Sequence, residues 1–162
     1  MRETRPGHEA RGHRFAVVAS RFHEAHVRRM VDAALEVLRG RGAAEDALEV
    51  VWVPGTFELP LACRWAAASG RFDAVLAFGV LIRGETEHFR LVAEAASQGL
   101  MRVTLDTEVP VLHGVLATDD AAQAAARSGG AAGNRGAEVA LAAIQMAALR
   151  AAMTAAPARE TR

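Results

Sequence analysis

The 162-residue chain contains no tyrosine, and aromatic residues make up only 5% of it. The few rings that remain stand out wherever they fall in loops. The single cysteine, Cys63, excludes an intrachain disulfide framework and a multi-cysteine metal site. It sits among Leu61, Ala62 and Trp65 in an expected helix, the setting of a small buried hydrophobe. An excess of either charge is also missing, since 19 basic residues offset 19 acidic ones. Nucleic-acid and membrane-surface proteins normally carry a basic excess, so neither partner is expected. The N-terminus lacks the continuous apolar run of a signal peptide, and the last apolar stretch is broken by Glu138, Gln145 and Arg150. A soluble, cytoplasmic protein is expected. Two nucleotide signatures are absent as well. No Gly-Lys-Ser/Thr follows the glycine-rich stretch near residue 130, and no GxGxxG follows the first apolar run.

What is present is a single pattern carried almost end to end. The chain is 51% hydrophobic, enough for one domain with a sizeable core. Residues 1–13 mix charges with Pro6, Gly7 and Gly12 and read as a flexible tail; 155–162 read as another. Between them, 14–154 form one expected domain. Apolar runs at Phe15 to Ser20, Leu48 to Val53, Ala74 to Ile82 and Val109 to Ala117 read as strands. Helical spacing follows each: Val27 to Leu38, Glu58 to Ala68, His88 to Leu100, and a short stretch near Asp120 to Arg127. A long helix is expected from about Ala137 to Met153. Strands apolar on both faces, each followed by a helix, indicate a four-stranded parallel sheet covered on both sides. The expected fold is a flavodoxin-like three-layer αβα sandwich. Its ligands would bind outside the carboxyl ends of the strands. The last helix is apolar around most of its circumference, which favours a subunit interface over an exposed alanine-rich back.

Four loops therefore matter. Ser20-Arg21-Phe22-His23 follows the first strand; Phe22 could present its ring to a flat heterocycle or fold back onto the sheet. Pro54-Gly55-Thr56-Phe57-Glu58 follows the second. The start of a helix accounts for Thr56 as a cap and Glu58 as a first-turn acid, with hydrogen bonds from Glu58 and nearby backbone to a polyol as the alternative. Gly84-Glu85-Thr86-Glu87-His88 follows the third. Free amides of Glu85 and Thr86 at a helix N-terminus suit a phosphate, although a threonine cap would satisfy the same turn. The imidazole of His88 has a reference pKa of about 6.5, suited to acid–base work near neutral pH, with an idle surface histidine as the alternative. His113 lies inside the fourth strand, where a core or interface role is open. Arg127 and Arg135 flank the glycine-rich loop, and guanidinium is a natural phosphate partner. His23 and His26 lack a third ligand, so no metal is expected.

In order and spacing these segments resemble the lumazine synthase family. The specific stretches are Ser20-Arg21-Phe22, Val53 to Pro60, Leu81 to Phe89, Gly99-Leu100-Met101, Val109-Pro110-Val111, Gly114-Val115-Leu116, Gln123-Ala124, Arg127 and Gly133-Asn134-Arg135-Gly136. The resemblance implies a transferase that needs no cofactor. It would condense 5-amino-6-(ribitylamino)uracil with 3,4-dihydroxy-2-butanone 4-phosphate to form 6,7-dimethyl-8-ribityllumazine, the penultimate step of riboflavin biosynthesis. Phe22 would stack on the pyrimidine, and Thr56, Phe57 and Glu58 would line the ribityl chain. Backbone groups of Val80, Leu81 and Ile82 would meet the pyrimidine edge. Glu85 and Thr86, with a neighbouring subunit's Arg127, would hold the phosphate, and His88 would transfer protons. His113 would close the neighbour's pocket, and Arg135 belongs to the same binding set. The family forms homopentamers, many of them joined twelve at a time into an icosahedral shell, and riboflavin synthase is a candidate partner. Three positions depart from the family's usual residues: His113 stands for phenylalanine, Arg135 for lysine and His23 for asparagine. A non-catalytic lumazine- or flavin-binding protein, or a shell with a vestigial pocket, are the competing readings.

Overall fold

The computed structural model describes residue 1 and residues 3–155. The C-terminal stretch expected to fray lies, from residue 156 on, outside them. Strand β1 (Phe15–Ser20) leads into α1 (Glu24–Gly40), and β2 (Leu48–Val53) leads into α2 (Leu59–Ala68). Then come β3 (Ala74–Ile82), α3 (His88–Thr107), β4 (Val111–Thr118) and α4 (Ala121–Arg127). A small antiparallel pair, β5 (Ser128–Gly130) and β6 (Gly133–Asn134), precedes α5 (Arg135–Thr154). The main sheet is parallel with order β2-β1-β3-β4, the four-stranded α/β sandwich expected from the sequence.

Period-two alternation of the central strands divides the core. Phe15, Val17 and Ala19 of β1 and Leu76, Phe78 and Val80 of β3 face α1 and α5. Ala16, Val18, Val75 and Ala77 face α2 and α3. Phe15 and Phe78 are fully buried. Each such side chain contributes about 1.5–3 kcal/mol by leaving water. The outer strands are less covered: β2 is mostly half-buried, with Val51 exposed, and β4 exposes His113 and Ala117. Double coverage thus holds for β1 and β3 and not for the edges.

Two glycines set how closely the helices approach. A side chain at Gly99 would meet Pro60 at 2.8 Å, so α3 runs past Gly99 against α2. The helix extends seven residues beyond the expected end at Leu100, reaching Thr107. A side chain at Gly136 would collide with the Met30 carbonyl, bringing the start of α5 onto α1. Asn134 fixes that start: its Oδ1 accepts from the Gly136 amide at 2.8 Å, and its Nδ2 donates to the Arg29 carbonyl at 3.1 Å.

The N-terminal stretch, read from sequence as a tail, makes contacts at its end. Ala10 is fully buried and its amide donates to the Arg41 carbonyl at 2.9 Å. By length and composition α5 could cross a membrane, so its polar residues do not exclude that. What identifies it as a core helix is the burial of Val139, Ala143, Ile144 and Ala147 against α1 and the sheet. Met146 and Met153, on the same helix, are exposed.

Candidate active site

The carboxyl ends of β1, β2 and β3 open onto one cavity of about 580 Å³. Phe22, Thr56, Phe57, Glu58, Leu81, Ile82, Thr86 and His88 line it, together with His23, Gly55, Gly84, Phe89, Leu91 and Val92. Most of the residues singled out in three separate loops thus meet at one place. Phe22 and Phe57 expose 64% and 62% of their surface, so neither ring folds back onto the sheet.

The β1 loop is built around an unusual backbone. Ser20 is fully buried, and its hydroxyl donates to the Phe22 carbonyl at 3.4 Å. His23 adopts φ +56°, a left-handed conformation. A non-glycine residue held there costs about 1–3 kcal/mol, a strain that concentrates at functional sites. Its carbonyl accepts the amides of His26 and Val27 and so begins α1. Its ring lies edge-on to Phe22 with centroids 4.8 Å apart. Partial burial, then the nearby His26, hold its pKa below the usual histidine value.

The β2 loop corrects one expectation. Thr56 does not cap a helix; it enters a short 3-10 turn (Thr56–Glu58) ahead of α2 with no side-chain cap bond. Its Oγ1 is buried without a hydrogen-bond partner and rests against Gly79, where an added Cβ would stand 2.6 Å away. An unsatisfied buried hydroxyl is expensive to keep, so one lining a cavity is a candidate ligand contact. Glu58 stands exposed over Gly55, whose added Cβ would lie 3.0 Å from Oε2.

In the β3 loop, α3 begins at His88, and the Thr86 hydroxyl accepts the His88 amide at 3.4 Å. Among the described residues, no hydrogen bond engages the amides of Glu85 or Thr86. They remain available to an anion, and glycine at position 84 leaves open space beside them. Arg83, which the sequence reading passed over, braces this loop. Its Nε donates to Asp119 at 2.8 Å, and its guanidinium lies 4.9 Å from the Phe89 ring centre.

Five expected residues do not line this cavity. Val80 is fully buried because alternation turns its side chain toward α1 and α5. Glu85 is exposed beside the cavity. His113 lies on β4, its Nε2 2.9 Å from Ser97 Oγ, and its pKa is lowered by partial burial and secondarily by Arg135. Arg135 pairs with Glu138 at 2.9 Å and donates to the His113 carbonyl at 3.3 Å. Arg127 ends α4, exposed, and donates to the Gln123 carbonyl at 3.3 Å. His113, Arg127 and Arg135 are thus absent from the lining of this chain's cavity.

The profile of the 6,7-dimethyl-8-ribityllumazine synthase family matches residues 12–151. The chain belongs to this family. The curated 6,7-dimethyl-8-ribityllumazine synthase of Gemmatimonas aurantiaca is 48% identical over 135 residues, 83% of this chain and 82% of that protein. That of Salinibacter ruber is 49% identical over 138 residues, covering 85% and 88%. That of Chlorobium phaeobacteroides is 46% identical over 137 residues, covering 85% and 88%. Every residue lining the cavity lies within the stretch matched by the family profile. Membership in the lumazine synthase family was legible in the loop motifs. The engagement of His23 and Arg83 was not, because both act through contacts between distant loops.

Proposed function

We propose that this chain condenses 5-amino-6-(ribitylamino)uracil with 3,4-dihydroxy-2-butanone 4-phosphate, yielding 6,7-dimethyl-8-ribityllumazine, phosphate and water. The observation that carries this reading is the convergence of Phe22, Thr56, Glu58, Thr86 and His88 on one cavity in a chain of the lumazine synthase family. The exposed Phe22 ring offers a stacking face for the pyrimidine. The unpartnered Thr56 hydroxyl and the Glu58 carboxylate suit the ribityl hydroxyls, and strand-end backbone of Val80 to Ile82 suits the ring edge. The free amides of Glu85 and Thr86 suit the phosphate.

The chemistry asks for placement more than activation. The pyrimidine amine attacks the ketone carbonyl, and loss of water gives an imine. Phosphate then leaves, and the ribityl-bearing nitrogen closes the second ring with loss of another water. Fixing two reactants in register can contribute roughly 7–11 kcal/mol. His88 moves protons at the cavity wall, a contribution of about 10²–10⁴-fold in favourable cases.

The cavity is completed in a homopentamer, with the twelve-pentamer shell as the further assembly. Exposed Trp65, Met101, Leu105 and Met146 favour a partner chain. Arg127, His113 and Arg135 then reach a neighbour's cavity, where Arg127 meets the ketone phosphate. A soluble, cytoplasmic setting, small-molecule substrates and riboflavin synthase as a partner complete the proposal.

Kinetics of two variants test the site. His88→Ala is expected to lower kcat, and Arg127→Ala to raise KM for the ketone phosphate about 10- to 100-fold, as expected for a charged hydrogen bond worth about 1.5–3 kcal/mol. Unchanged kinetics in both would place the reaction elsewhere. Light scattering distinguishes a pentamer from the shell.

A further inference from the structure

The corner of the cavity beside Phe22 carries a second titratable group that the reaction scheme leaves unused. Phe22 is held by its backbone through Ser20, yet its ring is 64% exposed. Among the described residues, the one aromatic or cationic group against that ring is the imidazole of His23. His23 also lines the cavity, and its left-handed backbone pins it at the turn into α1.

We propose that His23 is a positioning residue: its neutral ring braces Phe22 as the stacking face, and protonation withdraws the brace and weakens binding of the flat heterocycle. This rests on the functional reading above, which supplies the heterocycle. Two features make the neutral form the bracing one. An imidazolium must be hydrated, whereas His23 is itself half-buried in the cavity wall. It would also face His26 one turn along, which cannot swing away freely because its Nδ1 lies 3.2 Å from the buried Ser128 Oγ. The other titratable or charged groups around this corner are Arg21 and Glu24 on the same turn, Glu58 ahead of α2, and His88 on α3. Arg127 adjoins Ser128 at the end of α4. Of these, Glu24 is paired with Arg28, and only His26 is close enough to shift His23. A ligand that prefers neutral His23 must lower its pKa further, and by linkage its affinity falls as pH falls.

The test titrates 6,7-dimethyl-8-ribityllumazine onto wild type and His23→Asn between about pH 8 and about pH 5, spanning the histidine reference value of about 6.5. Asparagine tolerates the left-handed backbone and takes up no proton. The wild-type Kd is expected to rise toward acid, by about tenfold for each unit by which the ligand lowers the imidazole pKa. The His23→Asn curve is expected to be flatter and weaker at the alkaline end. Equal slopes overturn the role of His23. A second readout needs no variant at position 23. Calorimetry in buffers of different ionisation heat should show proton release on binding near pH 6, about half a unit below the reference value, in wild type and also in His88→Ala. No release in His88→Ala overturns the proposal. Wild type that binds no lumazine at any pH overturns the functional reading itself, a result distinct from binding with equal slopes.

Discussion

Replacing Thr56 by valine should stabilise the empty protein and weaken its ligand, two effects that a structural threonine would not combine. The Thr56 side chain is 3% exposed and its Oγ1 has no hydrogen-bond partner. Valine keeps the shape and removes the stranded hydroxyl. An unsatisfied buried polar group costs about 1–3 kcal/mol, and a typical hydrogen bond gained is worth about 0.5–1.5 kcal/mol. Thr56→Val should therefore raise the unfolding free energy of the ligand-free protein by about 1 kcal/mol, the lower end of that penalty. Loss of the ligand's hydrogen bond should weaken lumazine binding by about fivefold, since 1.4 kcal/mol corresponds to tenfold. Urea unfolding at fixed protein concentration reads the first effect and fluorescence titration with the lumazine reads the second. A lower unfolding midpoint with unchanged affinity would refute the reasoning, because it would mean that the hydroxyl serves the fold.

Two further outcomes follow from packing and protonation. Gly136→Ala should destabilise the chain by about 1–3 kcal/mol, because its methyl group meets the Met30 carbonyl where α5 crosses α1; denaturant midpoints check this, and an unchanged midpoint would mean the two helices separate freely. Acid should weaken the fold through His23 and His113, whose folded pKa values lie below the ordinary 6.5. Between the lowered folded value and 6.5 the unfolded chain binds more protons, so this stability is complete above about pH 6.5 and is lost as pH falls through the folded values. Unfolding midpoints measured across that range should fall toward acid, and less steeply in His23→Asn.

The sheet was readable because its central strands are continuous apolar runs. The bounds of β1, β2 and β3 match the apolar blocks Phe15 to Ser20, Leu48 to Val53 and Ala74 to Ile82. Helix ends were harder: the expected helix stopped at Leu100, yet α3 runs on to Thr107, past the contact of Gly99 with Pro60. The β5–β6 pair was also missed, as glycine-rich segments carry no strand periodicity. At the site, loop chemistry identified Phe22, Thr56, Glu58, Thr86 and His88 as candidates. Sequence spacing could not show that Thr56 Oγ1 is stranded, nor that His23 leans on Phe22, because both depend on segments brought together only by the fold.

The proposed condensation stands or falls on turnover. Wild-type protein mixed with 5-amino-6-(ribitylamino)uracil and 3,4-dihydroxy-2-butanone 4-phosphate should form lumazine, followed by its absorbance, with one phosphate released for each ring closed. The rate should exceed that of the same mixture without protein and disappear when either substrate is withheld. A rate equal to the protein-free background would contradict it.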